Sequence, residues 1–175
     1  MKGVVLVWIL IAFAAVSFGQ TKETVTIELF FVTTVDNADL IDCGKTRAVT
    51  RAIPKTEAIG TATLNELFKG PTQDEKDNGA TSMFSEETKS ILKSLKVKDG
   101  AAYVNFDSSI LELMGNATTS CGSTAFFAEV TDTLKQFPTV NEVFFAVEKD
   151  SAVFYDWMQI GCSEEENYCK DKKHF

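Results

Sequence analysis

Alternation of apolar and polar residues predicts two strands near the beginning of the chain. From Val25 to Val32, β-branched and aromatic residues alternate with Thr26 and Glu28. This pattern predicts a strand with one buried and one partly buried face. The segment Leu40–Ile53 alternates more weakly, and its second half is predicted to be a second strand that Pro54 ends.

The clearest local signal is a β-hairpin near the middle of the chain. Leu95–Val97 and Ala101–Phe106 are short apolar runs that flank Lys98-Asp99-Gly100. Asp-Gly between two such runs is typical of a tight hairpin turn. Further on, Val143–Glu148 predicts a buried strand, and Ala152–Tyr155 predicts one more short strand.

Helical periodicity predicts two helices, Thr56–Phe68 and Ser120–Phe137. The first is expected to begin with Thr56 as its cap and to end before Gly70, because glycine suits the left-handed position after a helix. The second has an apolar stripe at helical spacing, and Pro138 ends it. The order of elements is therefore ββαββαβ, which indicates an α+β fold.

The first 19 residues have the pattern of a secretory signal peptide. Lys2 precedes an apolar run, Val4–Val16, and small residues follow in Ser17-Phe18-Gly19. We expect cleavage between Gly19 and Gln20. The alternative is an uncleaved membrane anchor, although the run is shorter than the ~20 residues of a spanning helix. Residues 20–160 are predicted to form one domain, and residues 161–175 a charged tail.

Charge and cysteine content limit the classes of partner. The net charge of −8 and the scattered lysines argue against nucleic-acid binding. An even number of cysteines in an exported chain suggests two disulfides. Local pairing favours Cys162–Cys169, which leaves Cys43–Cys121 as a long-range bridge. Zinc is disfavoured because no cysteine pair has ligand spacing and the single histidine, His174, is next to the last residue.

Motifs for cofactors and catalysis are incomplete. Gly44-Lys45-Thr46 lacks the first glycine of a phosphate-binding loop, and Asp74–Gly79 has Lys76 where a calcium loop needs an oxygen ligand. No catalytic residue, metal site or cofactor is predicted. The alternative is a glycan hydrolase that uses two of the carboxylates Glu112, Glu129 and Asp132.

Asn116-Ala117-Thr118 is an N-glycosylation sequon in a predicted loop. Asn116 is therefore a candidate modification site in a eukaryotic host, and an unmodified loop is the alternative.

Two further motifs lie at the ends of the predicted helices. The first is LNELFKGPTQDEKDNG, with Gly70-Pro71-Thr72, and the second is TLKQFPTV, with Phe137-Pro138. Together they resemble the GerMN domain, a family named from spore germination and sporulation proteins. The resemblance covers about Thr24–Tyr155. It implies a two-layer sandwich in which two helices pack on one face of a mixed sheet, and it implies that these five residues are structural.

The resemblance also implies a function. GerMN-like chains are expected to act as non-enzymatic interaction or assembly modules at a cell envelope or extracellular surface. Partners would be proteins or wall and extracellular polymers, with no membrane span in the mature chain. Exposed sheet edges and the face carrying Phe30 are candidate contact surfaces. An extracellular inhibitor or effector is a further alternative.

Overall fold

The computed structural model of the chain describes residues 23–162 and 174–175, which contain six strands and five α-helices. The strands are β1 (Thr24–Thr33), β2 (Thr46–Pro54), β3 (Ala80–Thr81), β4 (Leu92–Lys98), β5 (Ala101–Phe106) and β6 (Glu142–Val147). The helices are α1 (Ile59–Leu67), α2 (Gln73–Asp77), α3 (Ile110–Leu113), α4 (Ser120–Lys135) and α5 (Ser151–Trp157), and a 3-10 turn spans Gly115–Thr118.

The strands form two three-stranded sheets. Sheet A has the order β2-β1-β3 and is antiparallel. Sheet B has the order β4-β5-β6, with β4 antiparallel and β6 parallel to β5. The predicted hairpin joins β4 to β5, and its turn residues Asp99 and Gly100 both have positive φ, as a tight hairpin turn requires.

Helix α4 closes the edge of β1 that β2 does not cover. Three side chains, two from α4 and one from its C-cap residue, bond to alternate residues of β1. Glu129 Oε1 accepts from Val32 N–H, and Thr133 Oγ1 accepts from Phe30 N–H. Gln136 Oε1 accepts from Glu28 N–H. Each of the three distances is 3.0 Å. Gln136 also donates to the carbonyl of Glu28 at 2.7 Å. The helix therefore satisfies strand hydrogen bonds that another strand would otherwise make.

Phenylalanine rings dominate the core between the two sheets and the helices. Phe126 of α4 lies 5.8 Å from Phe106 of β5 and 6.0 Å from Phe145 of β6, measured between ring centroids. Phe154 of α5 lies 5.1 Å from Phe145. Because a fully buried phenylalanine stabilises a fold by about 1.5–3 kcal/mol, this cluster is a major source of stability.

A disulfide bond between Cys43 and Cys121 ties the β1–β2 loop to the first turn of α4. This is the long-range bridge that the sequence predicts, and its Cα atoms are 5.3 Å apart. It closes 78 residues of sequence separation, which restricts the unfolded chain and contributes about 2–4 kcal/mol. Cys162 is also disulfide-bonded. The predicted Cys162–Cys169 pair involves Cys169, which lies outside the described residues.

The α+β class is confirmed, and the strands and helices of the predicted ββαββαβ order are present. The expected single mixed sheet is corrected to two sheets. Side chains of α4 bond the edge of β1 that faces away from β2. Only the two residues of β3 therefore pair with that edge, and sheet B remains separate.

Three local features correct or add to the predicted elements. Ala152–Tyr155 lies in helix α5, because Asp150 caps it by accepting from Ala152 N–H at 2.9 Å. The acidic stretch after Gly70 contains the short helix α2. Helix α1 begins at Ile59, so Thr56 lies before the helix and is not its cap. The N-cap residue, Ala58, makes no side-chain capping bond.

Candidate functional site

The chain turns at Leu67–Gly79, and this turn is held by the motif residues Gly70 and Thr72. Gly70 has φ of +73°, and a Cβ there would lie 2.1 Å from the carbonyl oxygen of Phe84, so only glycine fits. Thr72 caps α2: its Oγ1 accepts from Glu75 N–H at 3.3 Å. In return, Thr72 N–H donates to Glu75 Oε2 at 2.7 Å, which completes a capping box.

Arg51 of β2 connects this corner to sheet A. Its guanidinium donates to both carboxylate oxygens of Glu75, at 2.9 and 2.6 Å. It also donates to the backbone carbonyls of Glu66, at 3.0 Å, and Gly70, at 2.8 Å. The guanidinium carbon lies 5.7 Å from the centre of the Phe31 ring. One side chain therefore holds α1, the Gly70 turn and α2 against the strand.

The charged forms of Arg51 and Glu75 are stabilised by the contacts between them. Burial alone would lower the pKa of Arg51, but the hydrogen bonds and charges of Glu75 and Glu66 raise it. Burial alone would raise the pKa of Glu75, but Arg51 and Thr72 lower it. Both groups are charged at neutral pH. The signal for Arg51 in the sequence is its place between Val49 and Ile53, on the inward-facing side of an alternating strand, where a cation requires a partner.

The second family motif forms the turn after α4. Phe137 N–H donates to Leu134 and its carbonyl accepts from Val140 N–H at 2.9 Å, while Pro138 is exposed. Half-buried Phe137 and buried Val140 line a cleft of about 280 Å³ with the N-terminus of α1 and with Val97 of β4. The motif therefore shapes one apolar cleft on the surface.

The three carboxylates considered for glycan hydrolysis make separate contacts. Glu129 is fully buried, and its Oε2 lies 2.7 Å from the hydroxyl of Ser82. Burial raises the pKa of Glu129 to about 8, although the hydrogen bonds from Val32 and Ser82 favour its charged form. Asp132 accepts from Thr46 Oγ1 at 2.6 Å, and Glu112 is exposed on α3. These contacts give the hydrolase alternative no support.

Asn116 is exposed in the 3-10 turn, a position that a glycan can reach. Its modification stays a prediction. Within residues 23–162 and 174–175, no group of three metal-ligating side chains comes together. In the same ranges, no helix is long and apolar enough to cross a membrane.

The exposed edges differ from what the sequence suggests. The edge of β1 beside Phe30 is covered by α4, and Phe30 is half-buried. Strand β2, by contrast, is an edge strand of sheet A, and no described strand pairs with its outer side. Because Thr33 N–H bonds to the carbonyl of Lys45, alternate residues of β2, including Thr50 and Ala52, direct their backbone N–H groups away from β1.

The loop that leads into β2 is fixed and carries an exposed apolar residue. Ile41 is 87% exposed. Asn37 bridges the loop, since its amide donates to the carbonyls of Thr33 and Asp42 at 3.1 and 2.9 Å. The disulfide at Cys43 constrains the same loop, in which Ile41 precedes the start of β2. A preordered apolar contact of this kind reduces the entropy lost on binding.

We expect Arg51→Met to destabilise the protein by about 2–4 kcal/mol, because it leaves the carboxylate of Glu75 with little solvent and no cation. Urea denaturation gives this free energy of unfolding. Lys55→Met is the matched control: its ion pair with Glu23 is largely exposed, and we expect a change of less than about 1 kcal/mol. Equal effects of the two substitutions would contradict the role given to Arg51.

The folded protein should lose stability as pH rises because of Glu129. Its pKa is about 8 when folded, against an ordinary value of 4.5, so the folded state binds more protons between these pH values. The free energy of unfolding should fall by about 1.4 kcal/mol per pH unit across this window from Glu129 alone. Glu129→Gln, which can donate to Ser82 and accept from Val32, should remove that slope relative to wild type.

The measurement is urea unfolding from pH 5 to pH 9. The matched control is Glu112→Gln on exposed α3, which should keep the wild-type slope. A Glu129→Gln variant with the same pH dependence as wild type would show that Glu129 is ionised in the folded protein.

No curated protein sequence matches this chain, but solved structures and one family model do. Among solved structures, the first GerMN domain of the sporulation protein GerM from Bacillus subtilis is 22% identical, with a TM-score of 0.48, and the match covers 70% of this chain and 82% of that one. The tandem GerMN domains of the same protein give 22% identity and a TM-score of 0.48 over 71% of this chain. Our chain spans 39% of that tandem structure.

The chain also matches a family model. Residues 28–151 match the family Germane, described as sporulation and spore germination. This range includes both motifs, Arg51, most of β1 and all of α4. By this match, the chain belongs to the Germane family of GerMN-type domains.

Proposed function

We propose that the protein is an exported, non-enzymatic interaction or assembly module that acts at a cell envelope or extracellular surface. Family membership supports a GerM-like module. The signal-peptide pattern of residues 1–19 supports export, and the bond between Cys43 and Cys121 suits an oxidising compartment. The mature protein in this proposal has one domain, residues 20–160, and a tail, residues 161–175.

The observation that carries the proposal is the open edge of β2. A strand edge with unpaired backbone groups is a template for another chain, and most proteins cover or interrupt such edges. Here β2 has nine residues, and Thr50 and Ala52 are exposed on it. A partner strand would add to this edge by backbone hydrogen bonds and would contact Ile41 in the adjoining loop.

Thr50→Pro tests this edge. Proline removes an outward N–H without removing a bond to β1, so we expect the thermal unfolding temperature to change by no more than a few degrees. Capture of the partner from the envelope and secreted fractions of the producing organism should fall by roughly two- to tenfold, because one hydrogen bond to the partner contributes about 0.5–1.5 kcal/mol. Thr50→Ala, which keeps the N–H, is the matched control.

A photo-crosslinking side chain at Thr50 should join the same partner, whereas one at exposed Glu112 on α3 should not. Retention of the partner by Thr50→Pro would contradict docking at β2. A glycan-cleaving activity that Glu112→Gln or Asp132→Asn abolished would contradict the non-enzymatic role.

Export predicts a defined mature terminus. Protein recovered from the envelope or medium should begin at Gln20, which intact-mass measurement detects directly. Recovery of the chain with residues 1–19 still attached, in the membrane fraction, would instead indicate an uncleaved anchor.

A further inference from the structure

Strand β2 is built from a repeated four-residue unit. From Thr46 to Ile53 the sequence reads Thr-Arg-Ala-Val and then Thr-Arg-Ala-Ile. Because side chains alternate between the two faces of a strand, a repeat of four residues places equivalent side chains on the same face. Arg47 and Arg51, the two arginines of the sequence, therefore share the face of sheet A that carries Val49.

The two arginines differ in their surroundings. Arg51 is half-buried and bonds both carboxylate oxygens of Glu75. Arg47 is exposed, and its guanidinium makes no hydrogen bond or ion pair with any residue that the structure describes. An arginine presents a planar set of donors that matches a carboxylate, and Arg51 uses that match within the domain. At Arg47 the same group is available to a molecule outside the domain.

Acidic side chains around Arg47 are engaged elsewhere. Glu75 lines the same cleft, of about 200 Å³, but both of its oxygens bond the other arginine. Asp132 accepts from the hydroxyl of the residue before Arg47, and Glu28 alternates with the β1 residues that share the face of Arg47, so both lie on the opposite face of the sheet. Asp42 accepts from a backbone N–H of its own loop. The charge of Arg47 is therefore not neutralised by these groups.

A strand added to β2 would place one side chain directly across from Arg47. The backbone groups of Arg47 face β1, so in an antiparallel partner the residue across from it belongs to a non-hydrogen-bonded pair. Side chains in such a pair lie close together, with Cα atoms about 4.5 Å apart. The next position on the same face lies across from half-buried Val49. A carboxylate suits the first position, and an apolar side chain suits the second.

A second copy of β2 cannot supply this carboxylate. From Cys43 to Thr56 the sequence contains four basic residues and no acidic one. If two copies paired antiparallel about Val49, Arg47 of one copy would face Arg51 of the other, and like charges across a strand pair are destabilising. Charged residues on edge strands are a general means of blocking unwanted pairing. Arg47 therefore opposes self-association and favours a strand of opposite charge.

We propose that the strand that docks on β2 is antiparallel and carries an acidic residue across from Arg47 and an apolar residue across from Val49. Read from its amino end, the partner's motif is apolar-x-Asp or apolar-x-Glu. This inference rests on the strand docking given under the proposed function, and it names the chemistry that the docked strand must have.

The probe is the acetylated and amidated heptapeptide Ser-Val-Ser-Val-Ser-Glu-Ser, with Gln in place of Glu as its matched control. Titration into the 15N-labelled protein, followed by NMR, measures both affinity and location. We expect the amide signals of Thr50 and Ala52 to shift. The Glu peptide should bind roughly two- to fivefold more tightly than the Gln peptide, and added salt should reduce that difference.

Charge reversal makes the test specific to Arg47. With Arg47→Glu, the same peptide carrying Lys in place of Glu should bind roughly two- to fivefold more tightly than the Glu peptide, which reverses the preference. The matched control is Lys96→Glu, which makes the same charge change on exposed β4 and should keep the preference for Glu. Thr50→Pro should weaken every peptide. The dispersion of the amide signals confirms that each variant is folded before it is scored.

The outcomes separate this inference from the proposed function. Equal binding of the Glu and Gln peptides, with Thr50 still shifting, would overturn the charge preference and leave strand docking at β2 in place. Binding of neither peptide, or binding that Thr50→Pro does not weaken, would also overturn it, while partner capture with Thr50→Pro tests strand docking independently. A dimer detected by light scattering and abolished by Thr50→Pro would identify a second copy as the occupant instead.

Discussion

The fold depends on the contact between one helix and one strand edge. Strand β1 pairs with β2 on one side, and on the other side Glu129, Thr133 and Gln136 bond its backbone. Their spacing of four and three residues places them on one face of α4, which matches alternate N–H groups along the strand. The helix therefore fixes the limits of sheet A and keeps sheet B separate.

The contact between α4 and β1 contains a buried acid. Glu129 is fully enclosed, and its favourable state is neutral because burial raises its pKa to about 8. A leucine at the same place would leave Val32 N–H without an acceptor, and a buried donor without an acceptor costs about 1–3 kcal/mol. Glu129 thus has the raised pKa of many catalytic acids, but its carboxyl group completes the hydrogen bonding of strand β1. A buried carboxyl group with a raised pKa is consistent with catalysis elsewhere, but here both oxygens contact the protein's own backbone and Ser82.

Arg51 performs a comparable task at the opposite side of sheet A. It donates to the backbone carbonyls of Glu66 and Gly70 at the end of α1, and it neutralises Glu75. With Gly70 and Thr72 it makes the corner a fixed structure. Among the described residues, the outer edge of β2 and the loop carrying Ile41 lie outside these contacts.

The sequence alone determined the elements whose causes are local. Alternation defined β1 and β5, Asp99-Gly100 defined the hairpin, and Gly70 with Pro71 marked the end of α1, since turn geometry and strand periodicity depend on neighbouring residues. Only the tertiary structure decided the partition into two sheets and the roles of Glu129 and Arg51. Each of these depends on groups far apart in sequence, and a polar side chain does not reveal its partner until the chain has folded around it.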